Sequence, residues 1–115
     1  SWVQLGLDID GEASLDLSGT SVSLSSDGQT VAIGAQRNDG NGEDSGHVRV
    51  YQYDENMIPA SWVQLGLDLD GEAELDQSGD SVSLSSDGRT VAIGASVNDG
   101  NGFASGHVRV YQYIS

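Results

Sequence analysis

Acidic side chains at short, regular intervals are the residues of this sequence whose spacing could do chemistry. Carboxylates stand at relative positions 1, 3, 5 and 9 of a stretch that begins at Asp8, and the pattern recurs 60 residues later. Alternating carboxylates in a bent segment can converge their oxygens on Ca²⁺, which takes about six to eight oxygen ligands. The candidate metal ligands are therefore Asp8, Asp10, Glu12, Asp16, Asp68, Asp70, Glu72 and Asp76.

A second interpretation of the same carboxylates needs no metal. An EF-hand loop has glycine at its sixth position, whereas Ala13 and Ala73 stand at that place here. Aspartates also form local turns by accepting hydrogen bonds from backbone N–H groups. The acidic stretches are then solvated connections between strands, and both interpretations remain open at this point.

Other polar residues give weaker signals. The run Asn38–Gly42 recurs at 98–102, and its residue types are those of turns with positive φ, so a turn is favoured over a weak cation site. His47 and His107 each lack a second histidine or cysteine nearby, which argues against zinc. No Gly-x-Ser-x-Gly sequence is present, and the serines follow the repeat pattern. We expect no catalytic residues and no enzymatic activity.

The charge of the chain limits its partners. A formal charge of −14 arises from 18 acidic residues against 4 basic ones. Such a surface repels phosphate backbones and anionic lipid, so we expect neither a nucleic-acid nor a membrane partner. The chain has no cysteine, which excludes disulfides. It begins within its own pattern at Ser1-Trp2-Val3 without a signal peptide, so we expect an excised or designed fragment.

The parts of the chain that must position these side chains are organised as a tandem repeat. Residues 1–53 and 61–113 align without a gap, and they differ at nine positions only. We therefore divide the chain into a first repeat, 1–60, and a second repeat, 61–115. Four of the nine differences fall between positions 36 and 44, which predicts a variable loop on a constant framework.

Each repeat contains four predicted strands and no helical periodicity. Ser21–Ser25 alternates apolar and polar residues, and Ser26-Asp27-Gly28-Gln29 is a tight-turn sequence. The apolar run Thr30–Ala35 and the alternating run His47–Tyr53 follow. Residues 61–66 supply a fourth strand, led by a tryptophan. The fold class is therefore all-β, with four-stranded antiparallel units of the kind that form β-propeller blades.

Two blades do not close a ring. We expect apolar strands such as Thr30–Ala35 to be exposed on the outer faces of a two-blade wedge unless another molecule covers them. We also expect residues 2–6 of one chain to complete the last blade of its neighbour. Since propellers have about four to eight blades, a homotrimer with six or a homotetramer with eight is predicted.

Three motifs in order resemble a known repeat family. Ser18-Gly19-x-Ser21-Val22, then Val31-Ala-Ile-Gly-Ala35, then Gly46-His-Val-Arg-Val-Tyr51 is similar to the FG-GAP repeat of integrin α-subunit propellers, and most of all to its bacterial and algal tandem arrays. The resemblance implies one propeller blade per repeat and an extracellular or cell-surface location. Many members carry a calcium loop between the first two strands. The four-residue turn at 26–29 is too short for it, so that site does not carry over.

Three functions follow in order of expectation. The first is a structural or binding module that self-assembles and presents its variable loops to a protein or a glycan. The second is a calcium-binding extracellular adhesion repeat that uses the carboxylates named above. The third is an enzyme in a propeller channel, which near-identical repeats argue against because catalysis needs unlike residues in unlike roles.

Overall fold

A computed structural model describes residues 1–10, 18–35, 46–70, 78–95 and 107–114, and the following account concerns these residues. They form eight strands in two antiparallel sheets, which confirms the all-β prediction. Within this described part of the chain, no helix is long and apolar enough to cross a membrane.

The first sheet has the order β1-β2-β3-β4, as expected for a four-stranded blade. Its strands are β1 (Ser18–Leu24), β2 (Thr30–Ala35), β3 (His47–Asp54) and β4 (Ser61–Gln64). The fourth strand therefore comes from the first residues of the second sequence repeat. A two-residue strand, β5 (Leu69–Asp70), also pairs with β3 at its beginning.

The second sheet repeats the first without its fourth strand. It consists of β6 (Ser81–Leu84), β7 (Thr90–Ala95) and β8 (His107–Gln112), in that order. Residues 1–10, which match the segment that holds β4 and β5, are not in a strand. Among the described residues, β8 has β7 as its only strand neighbour.

The tight turn between the first two strands of the first sheet forms as its sequence predicts. The Asp27 carboxylate accepts hydrogen bonds from the Ser25 hydroxyl at 2.8 Å and from the Gln29 amide at 2.9 Å. The Gly28 amide donates to the Ser25 carbonyl at 3.0 Å. The two bonds to the carboxylate, from the Gln29 amide first and then from the Ser25 hydroxyl, lower the pKa of Asp27. The aspartate is thus occupied in closing the turn, which fits the inference that this turn cannot hold calcium.

The hydrophobic core lies between the two sheets. The pleat of the first sheet directs Ala32, Val48 and Val50 to one face, because these residues are paired across β2 and β3 or lie two apart. That face packs against Val91 and Ile93 of the second sheet. Partly buried side chains complete the core: Leu65, Leu69, Val82, Leu84 and Tyr111.

Apolar side chains remain exposed on the two outward faces, but not where the sequence placed them. The run Thr30–Ala35 is mostly buried, so the expectation that this strand would be exposed was wrong. The exposed residues belong to the flanking strands instead. They are Val22 and Leu24 on the first sheet and Val108 and Val110 on the second.

Candidate functional site

The connection between the two sheets is the region where polar and aromatic side chains converge. We call residues 61–70 the junction segment. Its first half pairs with β3 through Trp62 opposite Tyr53 and Val63 opposite Gln52. The Leu65 amide then donates to the Val50 carbonyl at 2.6 Å, and the leucine side chain enters the core between the sheets. The segment therefore completes one sheet and seals the contact with the next.

An ion pair fixes the middle of the junction segment. Arg49 of β3 donates from Nε to Oδ1 of Asp68 at 2.8 Å and from Nη2 to Oδ2 at 3.1 Å. Gln64 Nε2 donates to the same Oδ1 at 2.7 Å. The guanidinium, followed by the Gln64 amide, lowers the pKa of Asp68, and the carboxylate raises the pKa of Arg49. This two-pronged geometry is the strong form of the Arg–carboxylate pair.

His47 brings a further polar group to the same place. Its Nδ1 lies 3.8 Å from Oδ2 of Asp68 and 3.9 Å from Oδ1 of Asp70. One ligand atom from each of these three residues falls within 4.8 Å of the others, a spacing that could hold a metal ion. However, both oxygens of Asp68 already accept from the Arg49 guanidinium, and its positive charge opposes a second cation.

The candidate metal ligands are distributed as follows. Asp68 and Asp70 come together with His47, to which the sequence assigned no metal role. Asp8 and Asp10 are exposed, and Asp8 Oδ1 accepts from Gln4 Nε2 at 2.8 Å. The other four candidates lie outside the described residues: Glu12, Asp16, Glu72 and Asp76. Calcium therefore stays a prediction.

An aromatic pair anchors the start of the junction segment. The rings of Tyr53 and Trp62 lie 5.2 Å apart at 59°, a tilted arrangement that aromatic pairs favour. Trp62 Nε1 donates to the carbonyl of Leu5 at 2.9 Å. A Cβ added to Gly6 would lie 3.1 Å from Trp62 and 3.3 Å from Tyr53, so this glycine is packed against both rings. These aromatic side chains pack the framework, as their place in strands predicts.

A cavity of about 140 Å³ lies between the sheets beside the edge of β8. Its apolar lining includes Leu65, Leu69 and Val91, and Tyr113 contributes to the wall. The guanidinium carbon of Arg89 lies 5.8 Å from the centre of the Tyr113 ring, within cation–π range.

With strands, junction and ion pair established, comparison with known families identifies the repeat. Residues 8–51 match the FG-GAP repeat. The match identifies these residues, which are fewer than half of the chain, as an FG-GAP repeat. The matched range runs from Asp8 through β1 and β2 to Tyr51 in β3 and contains all three motifs that suggested the resemblance. The FG-GAP repeat supports a propeller-type structural or binding module, which agrees with the antiparallel sheets. No curated protein matches the chain.

Sequence reasoning anticipated part of this site. An arginine within a strand, as Arg49 is, ordinarily pairs with an acidic residue, and Asp68 is that partner. The sequence analysis missed strand β5 and the approach of His47 to Asp70, because no local sequence pattern indicates either of them. It also missed the bond between Gln64 and Asp68, although glutamine four residues before aspartate in both repeats, 4 and 8 as well as 64 and 68, was a usable signal.

Proposed function

We propose that this FG-GAP chain is a non-enzymatic structural and binding module whose copies assemble into a closed propeller. One observation carries the proposal: the fourth strand of the first sheet is supplied by the opening residues of the next repeat. The same SWVQ sequence at 1–4 is exposed, while β8 has no fourth strand beside it among the described residues. Copies joined in this way would leave no sheet incomplete.

The number of chains in the ring tests this assembly. Three copies of the 12.0-kDa chain weigh 36.0 kDa and give six blades, and four copies weigh 48.0 kDa and give eight. Native mass spectrometry and light scattering over a dilution series measure the mass. Either mass supports the proposal, whereas a chain that stays at 12.0 kDa at every concentration overturns the ring.

The binding function is assigned to the connections between β2 and β3 and between β7 and β8. They carry Gln36, Arg37, Glu43 and Asp44 in the first repeat but Ser96, Val97, Phe103 and Ala104 in the second. Differences concentrated on a constant framework favour recognition, since loops on rigid scaffolds are where binding usually occurs. The proposed ligand is an extracellular protein or a glycan, in keeping with the extracellular or cell-surface location proposed from the family.

A loop exchange tests this assignment. The four residues of the second repeat are replaced by those of the first, and both chains are applied to a glycan array and to a panel of extracellular proteins. We expect the exchange to change the bound set while the mass and the melting temperature stay the same. Binding that is identical for both chains, or no binding on either surface, would count against a recognition role.

Calcium binding is the second candidate, because Asp68, Asp70 and His47 offer ligand atoms within 4.8 Å of one another. The ion would have to compete with the Arg49 guanidinium for Asp68. A ligand that binds only the folded state raises its stability by mass action. Melting is therefore compared in millimolar calcium and in chelator, with Asp70→Asn as the matched variant. A melting temperature that rises in the parent chain and less in the variant supports calcium, and equal melting in calcium and chelator overturns it.

A further inference from the structure

Among the described residues the second sheet ends at β8, and the chain itself contains a segment with nearly the same sequence as the one that pairs with β3. We propose that residues 1–10 of one copy, here called the N-terminal segment, dock on β8 of a second copy in the manner of the junction segment on β3. This inference rests on the proposed assembly and names the surface and the residues that would make it.

The N-terminal segment shares its sequence, one side-chain hydrogen bond and one turn with the junction segment. The two sequences differ only at Ile9 and Leu69. Gln4 donates to Asp8 at 2.8 Å, as Gln64 does to Asp68 at 2.7 Å. The turn between them has φ of +73° at Gly6 and +77° at Gly66. A segment whose turn is formed before docking has less conformational entropy to lose on binding.

The receiving edge has the same sequence as β3. Strand β8 reads His-Val-Arg-Val-Tyr-Gln from 107 to 112, and β3 reads the same from 47. The valines of β8 are not covered as those of β3 are. Val108 and Val110 are 68% and 65% exposed, whereas Val48 and Val50 are 0% and 8% exposed. In the first sheet these valines are covered by the junction segment and by the sheet that follows it.

The register of the docked segment follows from the first sheet. Trp62 lies opposite Tyr53 and Asp70 lies opposite His47. If the N-terminal segment pairs with β8 as the junction segment pairs with β3, Trp2 of the second copy lies opposite Tyr113 and Asp10 lies opposite His107. The aspartate at position 8 then reaches Arg109, as Asp68 reaches Arg49.

A binding place for Trp2 is present on the receiving chain. Trp62 donates to the carbonyl of Leu5 and packs on Gly6. The equivalent surface for Trp2 is the Leu65 carbonyl and the neighbouring Gly66. This glycine lies against Tyr113, since a Cβ added to it would be 3.4 Å from that ring. The indole of Trp2 is fully exposed in the single chain, so its apolar surface is available for this contact.

The outward faces favour a second copy over any other occupant. Val22 and Leu24 are exposed on the first sheet, while their counterparts Val82 and Leu84 are partly buried against the core between the two sheets. The face that carries Val108 and Val110 is thus complementary to the face that carries Val22 and Leu24 of another copy. This contact joins unlike surfaces, and such contacts form closed rings when the rotation between copies permits.

A charge exchange tests the docking. Asp8→Arg and Arg109→Asp are made singly and together. Glu55→Arg, an exposed position between β3 and β4, is the control for altered charge. Dissociation constants come from the dilution series. Each single change is expected to weaken assembly about tenfold, because a charged hydrogen bond is lost. The double change restores the opposite charges across the contact and returns the constant to near that of the parent.

Trp2→Ala gives a second readout that does not depend on charge. Removal of a buried aromatic anchor is expected to raise the dissociation constant by roughly a hundredfold.

The docking is wrong if the parent chain assembles but Asp8→Arg behaves as Glu55→Arg does, if the double change is no better than the single ones, or if Trp2→Ala has no effect. In those cases the assembled module still stands. A parent chain that never assembles removes the ring as well.

Discussion

Strands β3 and β8 have the same six residues from histidine to glutamine but different surroundings. Along β3, Val48 is fully buried, Arg49 holds Asp68, and β4 and β5 pair with the outer edge. Along β8, Val108 is exposed and β7 is the only strand neighbour among the described residues. Identical sequence thus reaches different burial because each sheet depends on the unit that follows it. Stability in such an array is a sum of unit and interface contributions.

A glycine at the contact between the sheets offers the largest test of this difference. Gly79 has φ of +94°, and a Cβ there would lie 2.7 Å from the His47 carbonyl. Gly19, its counterpart, has φ of +91° and no heavy atom within 4 Å of such a Cβ. We expect Gly79→Ala to lower the free energy of unfolding by about 3 kcal/mol, through backbone strain and overpacking, and Gly19→Ala by about 1 kcal/mol through strain alone.

Urea unfolding in the Trp2→Ala background, at high dilution, makes this measurement on single chains. Gly19→Ala should in addition weaken assembly of the parent chain, because docking would bring the carbonyl of His107 from a second copy to this glycine. Equal losses for the two alanine variants would show that the contact between the sheets is looser than the structure describes.

The paired valines give the next largest effect. Val48→Ala removes methyl groups from the core and is expected to cost about 2 kcal/mol of unfolding free energy. Val108→Ala removes the same atoms from an exposed face and should change the single chain by less than about 0.5 kcal/mol. Thermal unfolding compares them. A large loss for Val108→Ala at a concentration where only single chains exist would contradict its exposure.

The comparison of β3 with β8 also shows where sequence-based prediction reaches its limit. Alternation and turn chemistry predicted β1 to β3 and β6 to β8, since these signals are local. They could not distinguish Val48 from Val108, because burial depends on what lies across the sheet. The two-residue strand β5 and the meeting of His47 with Asp70 likewise depend on tertiary packing. Within the candidate site, the Arg49 pair was predictable in kind, but its partner Asp68, 19 residues away, was not.

Acid should reveal the contribution of the ion pair between Arg49 and Asp68. The pKa of Asp68 is lowered in the folded state, so its carboxylate stabilises the fold above the ordinary aspartate value of about 4. This contribution is lost as the pH falls through the lowered pKa. Asp68→Asn should cost about 1 kcal/mol at neutral pH and flatten the loss of stability below about pH 4.

The matched control is Asp8→Asn, because Asp8 bonds to Gln4 in the same way. Unfolding curves recorded from neutral to acidic pH on diluted chains provide the comparison. If Asp8→Asn flattens the acid limb as much as Asp68→Asn does, then Arg49 is not the cause of the acid sensitivity.

Amide exchange should show the smallest difference. The Val50 carbonyl accepts from Leu65, and β3 is paired on both edges, so its amides should exchange slowly. Outer-edge amides of β8 should exchange faster in dilute chains and slow down once copies assemble. Exchange at β8 that does not change with concentration would argue against strand addition at this edge.

The boundary between the two sequence repeats falls inside a sheet, since Ser61–Gln64 completes strands that began at Ser18. A gene that gains or loses one 60-residue unit therefore changes the array by one whole sheet. Each added unit then brings the fourth strand of the sheet before it and needs the next unit for its own. Unequal recombination can thus change the number of units while every junction between neighbouring units stays the same.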